Sequence, residues 1–544
     1  MWSKGIEKEE VRSGKGIVAS ADKLASEAGT QMLAKGGNAV DAAVATAFAV
    51  GVVEPCMSSL GGGGVINIRP ASGEACAIDA FVMGPGNLDD FNWPTMGPKV
   101  VGVPGLLDGL CLALERFGTM SLSDVLAPAI RHAEEGFILS EYMANEINEA
   151  IFRLNGSAVK ILFKDFQRPL ASGERLVNRD YAETLKKIAA GGKEVFYQGE
   201  IAEKILDYMK KNGGLITAGD LRNYKSRVLK PVITTYKDYT VQSIPGAHGG
   251  VTVAHIMKIL EGYDFGSLGH NSVESIHLIA EAEKRAFIDR AAYYGDDEYA
   301  KVPWQGILSN GYADELRGTI SPGKSSGAVP PGNPWPYDPL VKSAGPIKPD
   351  PRGHGRDTTS LTVIDKDRNM VCLTQSLGYS FGAGECVPGA GIFLNDFMYL
   401  AGEGGFTPDV NHPNALAPWK RPLNNHSPTI VLKGARPFLT IGSPGGRRQQ
   451  GACCQAMINI IDHHMSIQDA LSAPRIHCEG NRLLMESRIP EAVRNRLSEM
   501  GHQVFPTPEY FMFFGGANGI LVGEDGLLHG GADPRRMCCA VPQE

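Results

Sequence analysis

The feature that most constrains this sequence is a strand-turn-strand pattern that directly follows a segment rich in proline, glycine and serine. That segment runs roughly from Ser321 to Gly355 and leads into Asp357-Thr358-Thr359. A β-branched run follows, then a polar turn at 365–369 and a second strand-like run to Ser376. Such a pattern predicts a β-hairpin. A flexible tether at its mouth can move away after a chain break without pulling apart a packed element.

The position of Thr358 predicts that the chain cuts itself between Asp357 and Thr358. A threonine hydroxyl is a weak nucleophile that needs a base within hydrogen-bond reach. A free α-amine has a pKa of about 8 and is partly unprotonated at neutral pH. Once it heads a new chain, Thr358 therefore carries its own base. The alternative is that the Thr-Thr pair is part of an ordinary strand without a catalytic role.

The hairpin register predicts a second hydroxyl beside this threonine. If Ile364 faces Met370 across the turn, Thr358 lies opposite Ser376, and cross-strand neighbours are about 4.5–5.5 Å apart. The Ser376 hydroxyl can then hydrogen-bond to the nucleophile. A slip of one residue would place Ser376 opposite Thr359 instead.

Composition argues against several classes of function. The 544 residues carry a formal net charge of −7 and no long run of lysine or arginine, so we expect neither nucleic acid nor a membrane as partner. The N-terminus is charged, and the longest apolar run, 39–53, is too short to span a bilayer. We therefore expect a cytoplasmic protein. The ten cysteines form no C-x-x-C pair, and no His/Cys/Asp cluster has metal-ligand spacing, so we expect reduced thiols, no metal and no cofactor.

Local patterns predict most of the remaining elements. Ser20 is expected to cap a helix to about Lys35, and Asn38 with Asp41 to cap a second, buried apolar helix. Gly61–Gly64 precede a strand and no Gly-Lys-Ser/Thr follows, which argues against a phosphate loop and favours a close backbone approach. Helices are also predicted at 105–117, 122–135, 141–153, 181–191, 201–212, 273–294 and 447–464, the last being amphipathic. Strands are predicted at 17–19, 65–68, 75–79, 232–243, 391–395, 427–432, 437–442, 519–522 and 527–530. The mixed charges of helix 273–294 are expected on a solvated face.

Gly445 and Gly446 stand between a predicted strand and a predicted helix. At such a junction free backbone N–H groups and the helix dipole can stabilise a developing oxyanion. The alternative is a plain turn. His426 falls near the loop that should border the site, but it is a lone histidine and is expected to be structural.

Several motifs, in order along most of the chain, match one family. They are 36–43 (GGNAVDAA), Glu54-Pro55, Gly61–Gly64, Asp357-Thr358-Thr359, 420–423 (KRPL), 427–429 (SPT), 442–446 (GSPGG) and 533–535 (DPR). The chain thus resembles the γ-glutamyltransferases, which are N-terminal-nucleophile hydrolases with an αββα sandwich, an α+β fold. The resemblance implies autocleavage before Thr358 into a large subunit, 1–357, and a small subunit, 358–544, that remain one intertwined domain. It also implies a small-molecule amide substrate, an acyl-enzyme on Thr358 and water or an amine as acceptor. Ser376 matches the hydroxyl that orients the nucleophile, and Gly445 and Gly446 match the oxyanion hole.

The positions that bind substrate in this family differ here. Phe81 stands where an arginine grips the γ-glutamyl α-carboxylate, and Leu400 stands where an acid holds the α-ammonium. Asn424-Asn425 replace paired serines, and Gly378 replaces an asparagine. Because losing a bidentate arginine and an opposing acid costs several kcal/mol of recognition, we expect weak or absent glutathione turnover. The acyl group is expected to be less charged or differently placed, as in an oxamate-like or cephalosporin-side-chain-like amide. Two alternatives remain, a glutathione hydrolase or transpeptidase proper and an unprocessed, inactive binding protein.

Overall fold

Two seven-stranded sheets stack face to face at the centre of the protein, in a computed structural model that describes residues 8–341, 357–399 and 405–544. The strands of the described chain are β1 Val11–Ser13, β2 Ile17–Ser20, β3 Gly63–Arg69, β4 Cys76–Ala80, β5 Phe137–Ile138, β6 Phe163–Lys164, β7 Arg168–Pro169, β8 Arg175–Leu176, β9 Arg227–Leu229, β10 Val232–Tyr236, β11 Tyr239–Ser243, β12 Thr359–Ile364, β13 Met370–Ser376, β14 Thr429–Lys433, β15 Arg436–Gly442, β16 Ile476–Glu479, β17 Arg482–Glu486, β18 Gln503–Thr507, β19 Asn518–Val522, β20 Leu528–Ala532 and β21 Cys539–Pro542. One sheet has the order β1-β20-β19-β15-β14-β11-β10, and the other has the order β21-β2-β12-β13-β3-β4-β9. The pairs within both sheets are antiparallel.

Helices cover the outer face of each sheet. They are α1 Lys23–Ala34, α2 Ala39–Val53, α3 Leu106–Phe117, α4 Leu122–Glu135, α5 Glu141–Ala150, α6 Gly156–Leu162, α7 Arg179–Gly191, α8 Glu194–Tyr197, α9 Glu200–Asn212, α10 Ala218–Asn223, α11 Gly249–Leu260, α12 Phe265–Leu268, α13 Val273–Tyr293, α14 Trp304–Ile307, α15 Asn310–Gly318, α16 Arg448–Ile461, α17 Ile467–Ser472 and α18 Glu491–Glu499. Helix α2 packs on β12 and β13, whereas α11, α16 and α17 pack on the other sheet. The predicted αββα sandwich is therefore confirmed.

The central hairpin shows why these residues form two-sided strands. Leu361 and Val363 face the helix-side core, while Ile364 faces the other sheet, where it packs with Met370 and Cys372. Alternate residues of a strand point to opposite faces. A strand that is apolar on both faces can therefore lie only between two layers, and β12 is buried along its whole length.

Several local predictions need correction. Helix α1 begins two residues later than expected, because Asp22 and not Ser20 accepts the capping hydrogen bond from the Leu24 N–H. Residues 391–395 form isolated bridges in place of a strand, and 232–243 is a hairpin of two strands. Helix α11 was not among the helices named from the sequence, and α16 is buried on all sides. The Asn38–Asp41 capping box and the buried α2 are confirmed.

The expectation of a solvated charged face on helix α13 is wrong. Glu281, Lys284 and Arg285 are all buried. The two oxygens of Glu281 accept hydrogen bonds from Lys284 and Arg285, each at 2.7 Å. Mutual pairing keeps these charges inside the protein, since a buried charge without a partner is very costly.

Each sheet contains strands that precede position 358 in the sequence and strands that follow it. Strand β2 lies between β21 and β12, and β11 pairs with β14. The division into subunits 1–357 and 358–544 stays a prediction.

Among the described residues, no helix is both long and apolar enough to cross a membrane. The cytoplasmic location stays a prediction. All ten cysteines are free thiols, and eight of them are buried. Leu400 and positions 342–355 of the predicted tether lie outside the described residues.

Candidate active site

The hydroxyls of Thr358 and Ser376 meet at one carbonyl oxygen. Strand β12 pairs with β13 in the expected register, Ile364 opposite Met370 and Thr359 opposite Gln375, which brings Thr358 opposite Ser376. The Thr358 hydroxyl donates to the Asp357 carbonyl oxygen at 2.5 Å, and the Ser376 hydroxyl donates to the same oxygen at 2.9 Å. In the intact chain, Ser376 therefore polarises the Asp357–Thr358 peptide group and does not bond to the Thr358 hydroxyl.

A tight turn after β13 holds the residue that precedes the candidate nucleophile. The Ser380 N–H donates to the Asp357 carboxylate at 2.9 Å, and the Gly378 N–H donates to the Ser376 hydroxyl at 2.9 Å. Gly378 has φ 107°, a conformation that glycine adopts at little cost. The turn thus fixes Asp357 and Ser376 relative to each other.

The glycine run 61–64 makes room for this arrangement. A Cβ atom on Gly62 would lie 2.3 Å from the carbonyl oxygen of Ser376, and one on Gly61 would lie 2.2 Å from that of Phe393. The backbone of the run therefore lies so close to the end of β13 that only glycine fits at these positions. The predicted close backbone approach is confirmed.

Gly446 and Gln449, around the start of α16, border the candidate nucleophile. Both line the small cavity around Thr358, and the Gln449 side-chain amide lies 3.5 Å from the Thr358 hydroxyl oxygen. Gly445 precedes Gly446 at φ 124° and packs so tightly on Gly515 that a Cβ atom would lie 2.9 Å from its Cα. The junction thus brings Gly446, just before the start of α16, to the cavity beside Thr358, and its role as an oxyanion donor stays a prediction.

The cavity beside Thr358 is small and contains no side-chain cation. Its volume is about 20 Å3, and its lining comprises Asp357, Thr358, Ser376, Gly378, Phe397, Asn424, Asn425, His426, Gly446 and Gln449. Neither lysine nor arginine is among these described lining residues. Since a cavity needs roughly 10–15 Å3 for one water molecule, only about one fits before cleavage.

Comparison with known proteins places the chain in a family. Residues 25–542 match the sequence profile described as gamma-glutamyltranspeptidase. The Acylase ACY 1 proenzyme of Pseudomonas sp. (strain SE83) is 38% identical over 97% of this chain and 93% of its own. The glutathione hydrolase proenzyme of Escherichia coli (strain K12) is 36% identical over 97% of this chain and 91% of its own. The structure of a cephalosporin acylase from Bacillus halodurans has a TM-score of 0.89 at 28% identity, covering 100% of this chain and 98% of that one.

The chain belongs to the γ-glutamyltranspeptidase family. It is therefore an enzyme that acts on amide bonds by hydrolysis or acyl transfer. The αββα architecture is that of the N-terminal-nucleophile hydrolases, to which the matched acylase and transpeptidase structures belong.

Relative to this family's pattern, Phe81 lies behind the cavity wall and not in it. Its ring packs edge-on against Phe397 and His426, at centroid distances of 4.5 and 5.0 Å. The buried guanidinium groups near this region already have partners. Arg421 lies 3.2 Å from the Asp79 carboxylate, and Arg290 donates to the Asn424 carbonyl oxygen and the Asn425 side-chain oxygen. Although burial alone would raise the pKa of Asp79, Arg421 and His248 hold it well below its usual range. The charge of Arg421 is thus already paired with that of Asp79 inside the protein.

A cluster of buried carboxyls lies on the other side of the Asp357–Thr358 peptide. Burial raises the pKa of Glu54 to about 8, and the Thr359 hydroxyl and Arg536 reduce the shift only in part. Burial and the nearby Asp357 charge raise the pKa of Glu146 to about 7, and burial raises that of Asp396 to about 7. The Thr359 hydroxyl lowers the pKa of the Glu54 carboxyl, while the Glu54 Oε2 and Thr359 Oγ1 atoms have no hydrogen-bond partner within the described chain. These acids hold protons close to neutral pH next to the predicted cleavage point.

One cluster of potential metal ligands escaped the sequence analysis, because its third member, His502, is 225 residues from His277. Ligand atoms of His277, Glu281 and His502 lie within 4.8 Å of one another. The His277 Nδ1 and His502 Nε2 atoms are hydrogen-bonded to each other at 2.8 Å. Since Lys284 and Arg285 already pair with Glu281, this cluster is charge-compensated by the protein itself.

The structure brings together Thr358, Ser376, Gly378, Asn424, Asn425 and Gly446 as lining residues, with Gly445 adjacent and Phe81 one layer behind. Leu400 falls outside the described residues. Sequence reasoning missed Phe397 and Gln449 and treated His426 as structural. For Gln449 a signal existed, since it lies three residues after Gly446, in the first turn of the helix that follows.

Proposed function

We propose that this enzyme cleaves itself before Thr358 and then uses Thr358 as the nucleophile of an amidohydrolase or acyltransferase whose acyl pocket does not fit a γ-glutamyl group. The observation that carries the proposal is the meeting of the Thr358 and Ser376 hydroxyls at the Asp357 carbonyl, at 2.5 and 2.9 Å. An N-terminal threonine mechanism requires a threonine hydroxyl at the carbonyl of the peptide bond that precedes it.

The cleavage step follows from this geometry. The Thr358 oxygen attacks the Asp357 carbonyl carbon, and the Ser376 hydroxyl donates to the oxygen that gains negative charge. Collapse breaks the C–N bond, and the nitrogen takes up the proton lost by the hydroxyl, which leaves an ester of Asp357 on Thr358. Water hydrolyses the ester and gives a free Asp357 carboxylate and a free Thr358 α-amine.

Turnover then repeats the same chemistry on an external amide. The α-amine takes the proton of the Thr358 hydroxyl as it attacks the substrate carbonyl, and the amine product leaves with that proton. The Gly446 N–H, beside the helix start, is the proposed oxyanion donor, with Gly445 shaping the turn. Water or an amine then takes the acyl group from the Thr358 ester.

The pocket supports an acyl group that lacks the α-ammonium and α-carboxylate of γ-glutamate. The wall formed by Phe397 is backed by Phe81, and the polar groups beside it are the neutral Asn424, Asn425 and His426. The α-carboxylate of a γ-glutamyl group placed there would lose its hydration and meet no lysine or arginine among the described lining residues, which is costly. An uncharged or singly charged short acyl group, as in an oxamate-like or cephalosporin-side-chain-like amide, fits this lining better.

Sequencing of the mature fragments tests the proposal. The smaller fragment should begin Thr-Thr-Ser-Leu, and Thr358→Ala should remain a single chain without amidase activity. A start at any other residue in an active preparation, or processing of Thr358→Ala, would overturn the assignment of the nucleophile.

The alternative function is that of a glutathione hydrolase or transpeptidase, favoured by the 36% identity to the Escherichia coli enzyme of that name. Turnover of glutathione at least as efficient as that of short uncharged amides would support it against our proposal. An inactive binding protein would instead give one band at full length on a denaturing gel.

A further inference from the structure

A buried chain of polar side chains leads from the interior to the acyl pocket. It begins at Arg421, which pairs with Asp79 at 3.2 Å, and continues from Asp79 to the His248 Nε2 atom at 3.4 Å. The His248 Nδ1 atom then lies 2.6 Å from the side-chain nitrogen of Asn424. Arg421, Asp79, His248 and Asn424 are each at most 3% exposed.

The directions of these hydrogen bonds are fixed by the chain itself. The side-chain oxygen of Asn424 accepts from the His426 N–H at 3.1 Å, which sets the orientation of the amide. The amide nitrogen can only donate, so His248 Nδ1 accepts, and the His248 proton lies on Nε2, facing Asp79. His248 thus holds the Asn424 amide in one orientation beside Thr358.

His426 lines the cavity and carries a polar atom that the described protein does not use. It is 2% exposed, and its Nδ1 atom has no hydrogen-bond partner within the described chain. Burial, with a smaller contribution from His248, lowers the pKa of His426 to about 3, so the ring is neutral at working pH. A buried polar atom without a partner is destabilising, and a substrate that supplies the partner recovers this cost.

We infer that Asn424 and His426 form a neutral recognition pair for the far end of the acyl group, positioned by His248, and that they select a short acyl chain ending in an uncharged hydrogen-bonding group such as a carboxamide. This inference rests on the proposed function and adds its substrate class. His426 and Asn424 supply hydrogen bonds without charge, Phe397 covers the apolar part of the chain, and His248 acts only through Asn424.

The test uses four p-nitroanilides on the processed enzyme, with succinamoyl, succinyl, isohexanoyl and γ-glutamyl as acyl groups. Succinamoyl and isohexanoyl have almost the same shape and differ in their hydrogen bonds, so their ratio of kcat/KM isolates recognition. We expect succinamoyl to exceed isohexanoyl by about tenfold, the value of one good neutral hydrogen bond, and also to exceed succinyl and γ-glutamyl.

Three variants locate the preference. His426→Leu should bring the succinamoyl-to-isohexanoyl ratio down about tenfold, to near one. His248→Phe should reduce the ratio mainly through a higher KM for succinamoyl, and His248→Gln, whose amide can both accept from Asn424 and donate to Asp79, should restore most of it. His132→Gln, in the last turn of α4, is the matched control and should keep the parent ratio.

The outcomes separate this inference from the function on which it rests. If the processed enzyme cleaves none of the anilides, the proposed amidase activity is wrong. If it cleaves them but shows no succinamoyl preference, or if His426→Leu retains that preference, the recognition pair is wrong while the nucleophile assignment stands. A preference for γ-glutamyl over all others would overturn both the altered pocket and this inference.

Discussion

At the scale of single residues, the structure assigns Ser376 a more specific task than the sequence suggested. The register was predicted correctly, but the Ser376 hydroxyl bonds to the carbonyl of Asp357 and not to the hydroxyl of Thr358. Strand pairing can be read from a sequence because alternation and turn length fix it. The rotamer of one hydroxyl depends on which acceptor the neighbouring turn presents, and that turn is built by residues 378–384.

Removing the Ser376 hydroxyl should slow processing. Ser376→Ala loses one donor to the developing oxyanion, which typically costs about 3–4 kcal/mol, or roughly a hundred- to a thousandfold in rate. Ser376→Thr keeps the hydroxyl and should process much faster than the alanine variant. The measurement is the fraction of cleaved chain against time on a denaturing gel. Ser360→Ala is the control, because the Ser360 hydroxyl bonds to Leu373 instead, and equal rates for Ser376→Ala and this control would contradict the role.

The raised pKa of Glu54 predicts a pH-dependent stability of the uncleaved protein. Its usual pKa is 4.5 and its folded value is about 8, so between these values the folded state keeps a proton that the unfolded chain has released. Stability should therefore fall as pH rises through this window, by on the order of a few kcal/mol. In a Thr358→Ala background, Glu54→Gln should raise the unfolding temperature at pH 8 and change it little at pH 4.5. Glu141→Gln, at an exposed position, should have no such effect, and a Glu54→Gln curve parallel to its parent would refute the argument.

At the scale of elements, caps, hairpins and the glycine run followed from local sequence, whereas burial often did not. The Asn38 cap and strands β12 to β15 depend on neighbours within a few residues, and these predictions were confirmed. In the sequence, the mixed charges of α13 resemble those of a surface helix. Their burial depends on residues about 40 or more positions away, such as Ser325, which accepts a hydrogen bond from Lys284. The contact between His248 and Asn424 escaped for the same reason, since the two residues are 176 positions apart.

The close packing of the glycine run predicts that a larger residue at position 62 will destabilise the protein. Gly62→Ala puts a Cβ atom 2.3 Å from the Ser376 carbonyl oxygen, a backbone atom that cannot move without shifting β13. We expect about 1–3 kcal/mol of destabilisation and impaired processing, measured by urea unfolding and by the cleaved fraction. Gly323→Ala, where an added Cβ has no neighbour within 4 Å, should behave like the parent. If the Gly62→Ala protein folds and processes normally, the backbone at position 62 can move away from β13 without loss of stability, and the prediction is wrong.

At the scale of the whole molecule, the two predicted fragments share their sheets and cores. Strand β2 pairs with β12 on one side and β21 on the other, and the apolar layer between the sheets includes Ile17, Ile364 and Ile520. Cleavage before Thr358 should therefore leave a complex held by many buried contacts. Processed protein should elute from a sizing column as one species containing both fragments, which separate only in denaturant. Elution of free small fragment under native conditions would contradict this.

The position of β2 also has a consequence for how such an enzyme can be manufactured. A gene split at codon 358 would yield one polypeptide in which β2 lacks both neighbouring strands and another in which no strand lies between β12 and β21. Both polypeptides would expose unpaired sheet edges, which promote aggregation. The two halves are therefore best synthesised as a single translation product, in which cleavage is the final maturation step after the strands of the sheet have paired.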